Sequence, residues 1–196
     1  QYWNETMGAN NSVLLADLED MDGDDEFTYG SDLANYGVSM TSMSGLAKDD
    51  DGNLYVVYSA GMDNLLFDNG NGATFNYRHL FMKASTDGGN IWGTAVDITP
   101  EDAEEESALI ECVYPSVFPQ VVDGSVILTY QRDLEPGTIA TPGSVDDLIE
   151  EGTVILYLEA SVDQVLSANE AIMNSPFKLY PNPSEDGLVN IGGVNS

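Results

Sequence analysis

Two stretches of this chain repeat one another in the same order, and that duplication restricts the fold more than any other sequence feature. Asp51-Gly52-Asn53-Leu54-Tyr55-Val56-Val57-Tyr58 lines up with Asp123-Gly124-Ser125-Val126-Ile127-Leu128-Thr129-Tyr130 at an offset of 72 residues. Downstream, Lys83-Ala84-Ser85-Thr86-Asp87 lines up with Glu159-Ala160-Ser161-Val162-Asp163 at an offset of 76. Each copy reads as a strand, an Asp-Gly turn, a second strand ending in Tyr, a long loop and a third strand. Glycine suits such turns because it accepts positive φ without a steric penalty.

The repeated runs are β-branched and aromatic, and Gly, Asn and Asp punctuate them, as expected of short antiparallel strands. The clearest are 53–58, 78–83, 125–130 and 153–158, and helical periodicity is nearly absent. Only 147–151 and 166–171 look briefly helical. A repeated unit of three or four antiparallel strands cannot bury both faces alone and must stack on neighbours, for which a propeller blade is the usual solution. The expected class is therefore all-β, with antiparallel propeller-type blades forming a partial propeller. One blade is expected over 40–99 and a second, degenerate one over 100–166, with 1–39 either a partial blade or an elaborated acidic loop. A chain of 196 residues accommodates this.

Asp and Glu number 34 against 5 Lys and Arg, a formal charge of −29, while 42% of residues are hydrophobic. That balance reads as a folded, heavily solvated protein. A field of this sign repels phosphate backbones and anionic lipid, so nucleic acid is not an expected partner. No apolar run reaches the length needed to span a bilayer, so no membrane span is expected. The single cysteine, Cys112, allows no intrachain disulfide. Its setting in Ile110-Glu111-Cys112-Val113 predicts a small buried strand side chain.

Ser85-Thr86-Asp87-Gly88-Gly89-Asn90-Ile91-Trp92 fits Ser-x-Asp-x-Gly-x-x-Trp, with a strand before it and Val96-Asp97-Ile98 as a short strand after it. This resembles the Asp box, or BNR repeat, of sialidase-like propellers. The stretch at Ser161 keeps Ser and Asp, loses Gly and Trp, and reads as a decayed copy. The motif has a local physical logic: a carboxylate and a hydroxyl accept hydrogen bonds from turn N–H groups, Gly89 supplies backbone freedom and Trp92 covers the hairpin. The resemblance implies a folding role for Ser85, Asp87, Gly89 and Trp92, with the turns away from any active-site face.

Sialidase-like enzymes grip a substrate carboxylate with three arginines, whose planar forks bind it bidentately, and use a Tyr paired with a Glu. Only Arg78 and Arg132 are present here. The blade topology predicts both on one rim near His79, Asp133 and Glu135, a candidate surface for glycan or protein; the bland alternative is solvated strand ends. No catalytic residue is assigned. One histidine excludes His-pair metal sites and weakens nucleophile–histidine dyads. Asp20, Asp22 and Asp24 concentrate oxygen ligands in a turn-prone segment, as calcium requires, although Asp25 stands where the twelve-residue calcium loop needs Gly. No other cofactor is expected.

After a polar connection over 167–176 comes Phe177-Lys178-Leu179-Tyr180-Pro181-Asn182-Pro183, then Gly187 and an alternating Val189, Ile191. Pro181 and Pro183 fix φ in an extended turn. This resembles the opening of the C-terminal sorting domain of the type IX (Por) secretion system of Bacteroidota, with Tyr180, Pro181, Asn182, Pro183 and Gly187 as the motif. The resemblance implies that 177–196 begins a small β-sandwich, that the export apparatus at the outer membrane is a partner, and that the protein is secreted or displayed at the cell surface. The functions expected from sequence are a secreted binding module for glycan or protein, a fragment of a sialidase-like glycoside hydrolase, or a structural export substrate held by the secretion machinery.

Overall fold

The computed structural model describes residues 1–8, 11–20, 23–34, 36–100, 109–137, 153–173, 178–180 and 190–192. The first repeat forms β1 (Thr41–Lys48), β2 (Leu54–Asp68), β3 (Thr74–Ser85) and β4 (Val96–Asp97), an antiparallel sheet in simple sequence order. The second forms β5 (Glu111–Val117), β6 (Ser125–Asp133) and β7 (Val154–Ser161), again antiparallel and in order. Neither sheet closes on itself.

The four strand runs read from the sequence lie in strands apart from Asn53 and Thr153, which immediately precede β2 and β7, but β2 continues ten residues beyond Tyr58. The sequence predicts a long loop after Tyr58. In the structure two polar residues there are satisfied inside the fold: Ser59 Oγ donates to Cys112 O at 2.9 Å, and Asp63 Oδ1 accepts from Thr28 N at 2.8 Å. The turn before β2 is closed by Asp49. Its carboxylate accepts from Asn53 N, Asn53 Nδ2 and Tyr55 OH at 2.8, 2.8 and 2.9 Å.

Alternation along the strands builds two cores. One face of the first sheet, with Tyr55, Val57, Leu80 and Met82, packs on Cys112, Val126, Leu128 and Tyr130 of the second. The opposite face, with Val56, Tyr58, Ala60 and Phe81, is covered by Leu15 and Ala16 of the N-terminal segment and by Trp92 and Ala95. Among the described residues of 1–39 no strand forms beyond the isolated Tyr2–Val13 bridge.

Hydrogen-bond register corrects the repeat by one residue. β1 and β5 carry matching bulges, each with a left-handed residue, Met43 (φ 57°) and Tyr114 (φ 55°). From those bulges, Ser59 opposite Ser42 corresponds to Gln131 opposite Val113, which preserves the offset of 72 between β2 and β6. Leu54 lies opposite Ser85, whereas Val126 lies opposite Ala160, so β3 and β7 correspond at 75, not 76. A one-residue slip exchanges faces, so the Ala-Ser match is coincidental in register. Corrected, the sheets stack in the same sense. Tyr55 and Val57 face the second sheet, while their counterparts Ile127 and Thr129 face away from the first.

After β7 the chain enters α1 (Val162–Met173) instead of a fourth strand. Asp163 N donates to Ser161 Oγ at 3.3 Å, so the apparent decayed motif begins a helix, with Ser161 as its cap. The helix contains the brief helicity expected at 166–171 and extends into the connection expected at 167–176; residues 147–151 lie outside the described ones. β8 (Lys178–Tyr180) and β9 (Asn190–Gly192) pair antiparallel with each other.

Candidate functional site

The turn between β3 and β4 is held by its own side chains. Asp87 Oδ1 accepts from Ser85 Oγ at 2.8 Å, Asn90 N at 3.0 Å and Ile91 N at 2.9 Å. Ser85 Oγ accepts from Gly89 N at 2.9 Å, and Trp92 Nε1 donates to Gly89 O at 3.0 Å. The Ile91 amide, with the Ser85 hydroxyl and Asn90 amide, holds the Asp87 carboxyl below its ordinary value. Gly89 has φ +94°, and a Cβ there would stand 2.1 Å from Tyr2 Cε1. Tyr2 in turn meets Trp92 edge-on, with ring centroids 5.6 Å apart. Trp92 is half-buried rather than enclosed, because Tyr2 and the apolar patch around Phe81 cover part of the ring.

Arg78 does not open its strand, nor is it a solvated rim cation. It lies inside β3 and is 1% exposed. Its Nη1 donates to Met40 O and its Nη2 to Ser39 O, both at 3.1 Å, while its guanidinium sits 5.2 Å from the Tyr36 ring centroid. Glu111, fully buried, accepts from Arg78 N through Oε2 and from Tyr36 OH through Oε1, both at 2.6 Å. Tyr36 Oη also accepts from Gly137 N at 2.7 Å. Arg78 Nε lies 4.0 Å from Glu111 Oε1 and has no hydrogen-bond partner. Burial pushes the Glu111 carboxyl up to about 8, against the pull of Tyr36 OH and of the Arg78 amide and charge.

This cluster ties the first sheet, the segment before β1 and the loop after β6 into one buried junction. Sequence reasoning missed Tyr36 and Glu111. The available signal was the acid inside the apolar run Leu109-Ile110-Glu111-Cys112-Val113, since a charge in such a run needs partners once buried.

The expected rim divides. Arg78 and His79 are neighbours on one strand and point to opposite faces. His79 is 5% exposed, with Nδ1 2.7 Å from Asp97 Oδ2 on β4. Arg132 and Asp133 end β6, opposite Cys112 and Glu111. Asp133 accepts from Leu134 N at 2.8 Å and from Thr153 Oγ1. Glu135 is half-buried in the loop beyond. Cys112 is a buried strand residue, and burial pushes its thiol pKa up.

In the acidic loop, Asp20 Oδ1 accepts from Gly23 N at 2.7 Å and Oδ2 from Asp25 N at 2.8 Å; Asp24 Oδ1 accepts from Glu26 N at 2.8 Å. These bonds close a turn. Asp22 lies outside the described residues, and among those described no group of three or more His, Cys, Asp or Glu is placed to hold a metal ion. Of the expected sorting motif, Tyr180 ends β8 opposite Asn190, while Pro181, Asn182, Pro183 and Gly187 lie outside the described residues. Among the described residues no helix is long and apolar enough to cross a membrane.

Comparison with protein-family models, curated proteins and solved structures found no match.

Proposed function

We propose that this chain is a propeller-type binding module of a secreted or cell-surface protein, exported through the type IX system, that holds a glycan or protein ligand rather than catalysing. The observation that carries the reading is the Ser85–Asp87–Gly89–Trp92 turn, which joins β3 to β4 in one of two antiparallel sheets stacked in the same sense. Repeated stacking of that kind is how propeller blades bury both faces. The export half rests on the Tyr180-Pro181-Asn182-Pro183 sequence and on the pairing of β8 with β9 around it.

Deleting 177–196 in a host that makes the protein tests the export half. The expected result is periplasmic accumulation of folded protein; undiminished appearance outside the cell would refute it. Screening the intact chain against immobilised glycans and surface proteins tests the binding half.

A glycoside hydrolase reading has one observation in its favour, the Tyr36–Glu111 pair beside Arg78. Two facts weigh against it: both terminal nitrogens of Arg78 are spent on main-chain carbonyls, and Glu111 is fully enclosed. Release of fluorophore from a fluorogenic sialoside, abolished by Tyr36→Phe, would reverse the choice.

A further inference from the structure

The two sheets are built on one plan and differ at one place. In the first, β4 adds to β3, with Val96 opposite Met82 and Asp97 opposite Phe81. In register, the corresponding residues of β7 are Tyr157 and Leu156. No strand lies beside them among the described residues, because the chain passes from Ser161 into α1.

Among the described residues no strand pairs with the edge left open. Val154–Ser161 contains no Pro and no Lys, carries Glu159 as its one charge, and pairs with β6 without a bulge. Proteins that need to keep a strand edge free use those devices to block it.

Among the described residues the face beside this edge is uncovered as well. Leu80 and Met82 are 0% exposed, whereas their counterparts Ile155 and Tyr157 are 69% and 59% exposed. On the same face a groove of about 300 Å³, lined by Phe118, Ile127, Thr129 and Tyr157, lies over β5 and β6, inboard of the edge. In the first sheet the fourth strand places Val96 and Ile98 on the corresponding face, against the shared core. Tyr157 OH donates to Glu159 Oε1 at 2.7 Å, which holds the ring along the strand.

The geometry points to the free edge of β7 as a docking site for an extended segment of a partner protein, which adds to the second sheet as its fourth strand. Main-chain hydrogen bonds to β7 supply the attachment, and alternate apolar side chains, placed as Val96 and Ile98 are beside Met82 and Leu80 on the first sheet, pack against the exposed Tyr157 and Ile155 at the edge. A net charge of −29 makes the fitting segment neutral or basic, and it disfavours a second copy of this chain in the same place. The assignment rests on the binding-module reading and names its partner class.

The test uses the intact chain and a probe taken from its own fourth strand. The probe is a fluorescent synthetic peptide of residues 93–100 carrying Asp97→Lys, which removes the charge the protein would repel. Titration followed by fluorescence anisotropy is expected to show saturable binding, weakened by added salt. Amide exchange of wild-type chain is expected to slow in β7 when peptide is added. Ile155→Lys with Tyr157→Lys, at exposed positions, is expected to weaken binding roughly tenfold or more, about 1.4 kcal/mol, with an unchanged circular dichroism spectrum; Tyr157→Lys alone serves if the double variant does not fold.

No binding to wild-type chain, or equal binding to the variants, would overturn the site. So would a free chain that is dimeric with its β7 amides already protected. If the peptide fails while a glycan or folded protein still binds, the strand site falls and the binding reading stands. If no class of ligand binds, both fall.

Discussion

Asp87 and Glu111 are acids with opposite fates, and the difference lies in what surrounds each carboxylate. Asp87 is exposed and gathers three donors within its own turn, so it is most stable ionised. Asp87→Ala leaves those turn groups without their acceptor. Because water reaches the freed amides, the expected loss is about 1–2 kcal/mol, read by chemical denaturation. Asp87→Asn retains an acceptor oxygen and should lose less. Glu111 is enclosed, and burial raises its folded-state value from 4.5 to about 8. A raised carboxyl binds more protons folded than unfolded, so its contribution is fully present below about 4.5 and is lost as pH rises towards 8. A melting temperature that declines across that window is expected, with a flatter profile in Glu111→Gln.

At the scale of elements, the paired bulges at Met43 and Tyr114 matter most. Tyr114 N lies 3.3 Å from Met43 Sδ, so the two irregularities meet where β1 and β5 pack. Gly45, at the end of the first bulge, has no side chain because Val117 occupies its space: a Cβ there would stand 2.5 Å from Val117 Cγ2. Gly45→Val should therefore push the sheets apart and cost about 1–3 kcal/mol by overpacking. A midpoint in urea equal to wild type would contradict this account of the junction. Strands were readable from β-branched runs wherever alternation was clean. The second half of β2 was not, because Ser59 and Asp63 are polar and become acceptable in a core only through distant partners, Cys112 O and Thr28 N. Ser161 shows the converse: the same Ser-x-Asp spelling closes a turn after β3 and caps a helix after β7.

For the whole molecule, 34 acids against 5 bases set up a self-repulsion that folding concentrates. Salt shortens its range, so the melting temperature is expected to rise between low ionic strength and about 0.5 M NaCl, where the Debye length falls to a few ångströms. A salt-independent melting curve would mean that the carboxylates are already compensated by local contacts such as those of Asp49 and Asp87. The antiparallel strands, the turn at Asp87 and the buried place of Cys112 were all determined by the sequence alone, because each depends on contacts within a few residues or on simple alternation. Tertiary structure decided which residues correspond between the repeats, since register is a property of paired strands and one residue of slip exchanges the faces. It also decided that Arg78 is consumed inside a junction with Tyr36 and Glu111 rather than offered on a rim, because partners separated by dozens of residues meet only when the sheets stack.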